Sequence, residues 1–82
     1  MTLSFEITIS RKPGLSDPEG ATTLKALHDL GYADVASVSF GRVISLDIEA
    51  KDEDAARRLL DEMCSKLLAN PVIESYSVEL AT

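Results

Sequence analysis

The tightest constraint this chain places on its own fold is strict alternation. Leu3, Phe5, Ile7 and Ile9 take every second position with Ser4, Glu6, Thr8 and Ser10 between them, and Ile44, Leu46 and Ile48 alternate in the same way with Ser45, Asp47 and Glu49. Successive side chains of an extended strand point to opposite faces, so each segment predicts a strand with one apolar and one wet face. From Val72 onward the pattern returns, with Tyr76, Val78 and Leu80 on one face and Ser75, Ser77 and Glu79 on the other. Val35, Val38 and Phe40 predict one more strand, whose alternation Ala36 and Ser37 disturb.

Between these segments the apolar period changes to that of a helix. Lys12-Pro13-Gly14 ends the first strand, and a loop runs through Ser16. Asp17-Pro18-Glu19 then combines an oxygen cap, a proline at the first helical position and an acid at the positive dipole end. This predicts a helix over Pro18–Leu30 with Leu24, Leu27 and Leu30 as its buried stripe, Gly20 close to the same side and Gly31 as its left-handed cap. Gly41-Arg42 reads as a tight turn joining the strands on either side into an antiparallel hairpin. Asp52, Glu53 and Asp54 open a second helix with Ala56, Leu59, Leu60, Met63 and Leu67 at helical spacing, and Asn70-Pro71 closes it.

The order is β-α-β-β-α-β. It predicts an α+β sandwich, a four-stranded antiparallel sheet with both helices on one face, ferredoxin-like in plan. At 82 residues, 1–82 is expected to be a single domain, and a chain of this size has a thin core that self-association would reinforce. The net charge of −6 repels phosphate backbones and anionic lipid, which argues against nucleic acid and membrane surfaces as partners. There is no apolar run long enough to span a bilayer, and the amino terminus alternates rather than forming an apolar signal segment. One cysteine allows no internal disulfide. A cytoplasmic protein is the expectation.

Few residues carry the marks of catalysis. His28 lies one turn after Leu24 at the edge of the first helix's stripe, with no visible partner that would orient it as a base. Cys64 falls one turn after Leu60, beside the buried face of the second helix, where a free thiol acts as a small apolar group. A single histidine and a single cysteine do not make a closed zinc site, and the four glycines form no phosphate loop. Asp52 to Asp54 suit a helix start, and Asp47 with Glu49 suit the wet face of a strand, so both groups have structural explanations beside any metal or acid–base role. Three readings remain open on the residues alone: an assembly module, a small-metabolite-binding dimeric regulatory module, and an enzyme using Asp47 and Glu49.

Several segments, in order, resemble the PurS family, the small subunits of bacterial and archaeal phosphoribosylformylglycinamidine synthase. They are Lys12-Pro13-Gly14, Asp17-Pro18-Glu19-Gly20, Leu27-His28-Asp29-Leu30-Gly31-Tyr32, Gly41 with the strand Ile44–Ile48, and Leu67-Leu68-Ala69-Asn70-Pro71-Val72-Ile73-Glu74 after Met63-Cys64. Each is generic alone; their order and spacing over nearly the whole chain are not. The resemblance implies a noncatalytic adaptor in de novo purine biosynthesis. In that family a glutaminase, PurQ, releases ammonia, and a synthetase, PurL, uses ATP and magnesium to convert formylglycinamide ribonucleotide to the amidine. No cofactor would belong to the small subunit itself, no catalytic residue is expected in it, and a homodimer or larger oligomer is. Exposed loops on a rigid scaffold commonly carry binding, which selects Lys12, Pro13, Gly14, Asp17 and Pro18 in the first loop, Gly41 and Arg42, and Asn70, Pro71 and Glu74 as interface candidates.

Overall fold

The computed structural model describes residues 1–81. Strand β1 (Thr2–Arg11) leads to helix α1 (Pro18–Asp29), strand β2 (Gly41–Glu49), helix α2 (Glu53–Met63) and strand β3 (Glu74–Ala81), with a π-helical turn, Cys64–Leu68, prolonging α2. The sheet has three strands in the order β2-β1-β3, both pairs antiparallel. Register follows the alternation: Phe5 stands opposite Leu46 and Leu80, and Ile7 opposite Ile44 and Val78, so the apolar members of all three strands share one face.

Helix α2 covers that face. Phe5, Ile7 and Ile9 from β1 meet Ala56 and Leu60 from α2, with Cys64 and Ala69 closing the far end. Asp52 starts α2 by accepting a hydrogen bond from the Ala55 amide at 2.8 Å, and Glu53 and Asp54 fill its first turn. Arg57 lies over the Phe5 ring at 5.5 Å from its centre and donates to the Val78 carbonyl at 3.1 Å, so its stem roofs the core while its charge stays near water.

The four-stranded sheet expected from the sequence is corrected here, and so is the hairpin. Gly41 and Arg42 do not turn: they pair with Ser10 and Ile9 as the first rungs of β2. Residues 35–40 run into β2 without turn or bend and pair with no strand. A Cβ at position 41 would stand 2.5 Å from the Ile9 carbonyl oxygen, so the glycine serves close strand approach rather than a reversal. The two helices do not share one face either. Helix α1 contributes no side chain to the core, Leu30 is 72% exposed, and Leu24 and Leu27 are half-buried. Two boundaries also move: Leu67 falls on the π-helical turn and is 82% exposed, and Val72 lies in the turn before β3.

Instead, α1 lies along residues 35–40, its start against their end. The Asp17 carboxylate accepts from the Phe40 amide at 2.8 Å, and His28 Nε2 donates to the Val35 carbonyl at 2.8 Å. Between them Gly20 is buried on the Val38 carbonyl, where any side chain would collide. Helix and segment form an arm. The radius of gyration, 16.4 Å, exceeds the about 12 Å that a compact chain of this length would have, and the extents are 51 × 28 × 14 Å.

Candidate functional site

The end of the sheet where β1 finishes and β2 and β3 begin gathers most of the interface candidates. Arg42, leaving β2 on its apolar side, donates from Nη2 to the Leu68 carbonyl at 3.1 Å and meets Glu74 Oε1 at 3.2 Å. That same Glu74 oxygen accepts from the Asn70 amide at 2.8 Å, and the Glu74 amide donates to the Asn70 carbonyl at 2.7 Å. Asn70 Oδ1 accepts from the Val72 amide at 3.0 Å, an Asx turn that sets up the bend at Pro71. Just beyond β1, Lys12 Nζ donates to the Pro71 carbonyl at 2.7 Å and the Lys12 amide to the Ile73 carbonyl at 2.9 Å. Lys12, Arg42, Asn70, Pro71 and Glu74 thus form one braced cluster.

Asp17 stands beside it. Its carboxylate caps α1 through the Gly20 amide at 3.0 Å and also holds the Phe40 amide. These amides, Phe40's foremost, lower its pKa below the usual carboxylate value, and the Arg11 charge adds to the effect. Pro18 occupies the first turn of α1, Gly41 is inside β2, and Pro13 and Gly14 form an exposed turn apart from the cluster. Arg11, Asp17, Glu19, Phe40, Gly41, Arg42 and Glu74 line an open cleft of about 300 Å³ with both signs of charge on its walls.

A second surface lies beside α2. Leu46, Leu59, Met63, Leu67 and Leu68, rimmed by Glu62 and Lys66, line an apolar groove of about 500 Å³. Sequence reasoning merged into one stripe what are two i, i+4 rows of the second helix: Ala56, Leu60 and Cys64 face the sheet, while Leu59, Met63 and Leu67 face the groove. The breadth of that stripe was the available signal. Arg11 and Phe40 also line the cleft; the sequence marked Phe40 only as a strand residue and gave no signal for Arg11.

The residues considered for catalysis are occupied otherwise. Ser4 donates to Asp47 at 2.6 Å, and Glu49 accepts from the Thr2 hydroxyl and pairs with the amino terminus at 3.3 Å, contacts that lower its pKa, with the Thr2 bond first. His28 braces the arm. Cys64 is fully buried; burial first, and then the Asp61 charge, raise its thiol pKa. Among the described residues no three His, Cys, Asp or Glu side chains stand together as a metal cluster, and no helix is long and apolar enough to cross a membrane.

An open charged cleft and an apolar groove on a thin three-stranded scaffold define a class, a small α+β module with open surfaces. Within that class the chain belongs to the PurS family, whose model, described as phosphoribosylformylglycinamidine (FGAM) synthase, matches residues 4–82. The phosphoribosylformylglycinamidine synthase subunit PurS of Archaeoglobus fulgidus is 51% identical over 73 residues, 89% of this chain and 91% of the relative. Among solved structures, Methanocaldococcus jannaschii PurS, described as one of the subunits of formylglycinamide ribonucleotide amidotransferase in the purine biosynthetic pathway, matches at a TM-score of 0.86 and 35% identity, covering 100% of this chain and 98% of that one. A chain of the structure described as PurLQS from Thermotoga maritima matches at a TM-score of 0.92 and 28% identity, over 99% of both chains.

Proposed function

We propose that this chain is the noncatalytic assembly subunit of a phosphoribosylformylglycinamidine synthase, working in the cytoplasm as at least a dimer to bring a glutaminase and an ATP-dependent synthetase together. The observation that carries this reading is the end-to-end likeness to a chain of the PurLQS structure. The braced cluster supports it, since loops tied to one another present a fixed shape to a partner. In this reading ATP and magnesium belong to the synthetase partner. Lys12, Pro13, Gly14, Asp17 and Pro18, with Gly41, Arg42, Asn70, Pro71 and Glu74, supply the contact surface.

Assembly matters to the chemistry because ammonia set free in water is diluted and protonated before it reaches a second active site. A complex that holds the two sites in register and excludes water between them retains it. The test mixes the chain with its matching glutaminase and synthetase and compares glutamine-dependent with ammonia-dependent product formation. The expected result is glutamine-dependent synthesis only when the chain is present, with ammonia-dependent synthesis needing it far less. If neither rate changes and no complex forms, the adaptor reading fails and the metabolite-binding reading, with the charged cleft as its site, replaces it.

A further inference from the structure

We infer that the carboxyl end of α2 is a register switch that couples the braced cluster to the apolar groove. While Arg42 holds the Leu68 carbonyl, the end keeps its π-helical turn. Released, it winds by one residue into an α-helical turn, and Leu67 closes the groove. The inference concerns the chain alone and goes beyond the assembly reading.

Spacing along the helix is the first observation. The core row runs Ala56, Leu60, Cys64 and then Ala69, two steps of four residues followed by one of five. That longer step is the π-turn, closed by the Ala69 amide on the Cys64 carbonyl at 3.0 Å. The groove row takes the same step, from Leu59 and Met63 to Leu68, which is half-buried against the core. Leu67 is the residue left over. An α-helical end would put Leu67 in the groove row and Leu68 in the core row, each four residues after its predecessor. The observed turn instead places an alanine in the core row and leaves a leucine 82% exposed at the edge of the groove, against the hydrophobic preference of the segment.

The compensation lies in the cluster. Arg42 Nη2 donates to the Leu68 carbonyl at 3.1 Å and meets Glu74 at 3.2 Å. Glu74 accepts from the Asn70 amide at 2.8 Å, and its own amide donates to the Asn70 carbonyl at 2.7 Å. Residues on both sides of Ala69 are thus pinned, and Ala69 itself leaves the helix in an extended conformation, with φ −126° and ψ 151°. Winding in one more residue turns Leu68 by about 100° around the helix axis and carries its carbonyl off Arg42. The two registers trade apolar burial against this brace, and one segment does not satisfy both. Opposed sets of contacts of this kind make an element bistable. Arg42 is exposed, so a competing carboxylate can reach it. The coupling is reciprocal: taking Arg42 from Leu68 closes the groove, and a ligand filling the groove tightens the brace.

The test uses full-length chain carrying Cys64→Ala and Leu67→Cys, so that a single thiol reports on the groove, and measures its rate of alkylation. With Arg42 in place the thiol is exposed and reacts quickly. Adding Arg42→Gln is expected to slow the reaction about tenfold as the population moves to the closed register. Glu74→Ala, which frees Asn70 and loosens Arg42 together, should slow it as well, and circular dichroism checks that each variant is folded. An unchanged or faster rate in a folded variant overturns the inference, since the end is then fixed, or frays rather than winds. Deleting Lys66 supplies the control. Ala69 then follows Cys64 by four residues, no surplus residue remains to wind in, and Arg42→Gln should leave the rate unchanged. A slowing that survives the deletion overturns the inference too.

Discussion

Asp17 shows how much one side chain carries in this chain. It caps α1 through one carboxylate oxygen and holds the Phe40 amide through the other, so only the ionised carboxylate accepts both bonds at full strength. Its folded pKa is lowered, so the stability it contributes is fully present above the unfolded value, near 3.8, and is lost as pH falls through the folded value. Glu49, lowered by Thr2 and the amino terminus, acts in the same direction. Denaturant titrations from neutral pH to below pH about 4 should therefore show falling stability, and Asp17→Asn should flatten that fall while keeping the cap. Cys64 gives the opposite kind of prediction. A buried thiol with a raised pKa presents little thiolate, so a thiol reagent should react with native chain far more slowly than with denatured chain. Equal rates would mean the helix end opens readily. The cap at Asp17 and the burial of Cys64 were legible in the sequence from spacing alone. Asp17's second bond, to Phe40, was not, because it joins residues that only the arm's geometry brings together.

Elements divide into those that pack on the sheet's apolar face and those that, among the described residues, do not. Helix α2 displays both conditions at once. Leu60 is fully buried on β1, and Leu60→Ala should cost about 2–5 kcal/mol, a large share of the about 5–15 kcal/mol that holds a small domain folded. Leu67, one row over, is 82% exposed. Leu67→Ser should therefore change the stability of the chain by less than about 0.5 kcal/mol, read as the shift in its urea midpoint. Strands β1 and β2 were readable from alternation because each has an intrachain partner that selects one face. Residues 35–40 alternate less well and, among the described residues, join no strand of the sheet, so the pattern announced a strand where the chain is extended but held by α1 instead. The supposed turn at Gly41-Arg42 failed for a related reason: glycine permits a reversal, but here it permits close approach to the Ile9 carbonyl.

As a whole, the molecule is too extended for its length, with a radius of gyration of 16.4 Å and a core drawn from one face of β1 and one side of α2. So thin a core predicts a melting temperature that rises with protein concentration, since a folded dimer draws the equilibrium away from the unfolded chain. A melting temperature independent of concentration would mean that the monomer is the stable unit. What the sequence by itself determined was the type and order of nearly every element, the face each strand buries and the family to which the chain belongs. Those properties follow from periodicity, caps and local motifs, which act over a few residues. The tertiary structure alone decided the number of strands in the sheet, the departure of α1 from the core, and the meeting of Lys12, Arg42, Asn70, Pro71 and Glu74 at one end. Each of these turns on whether the chain reverses or runs straight at Gly41, a choice made by rungs to Ser10 and Ile9 far away in the sequence.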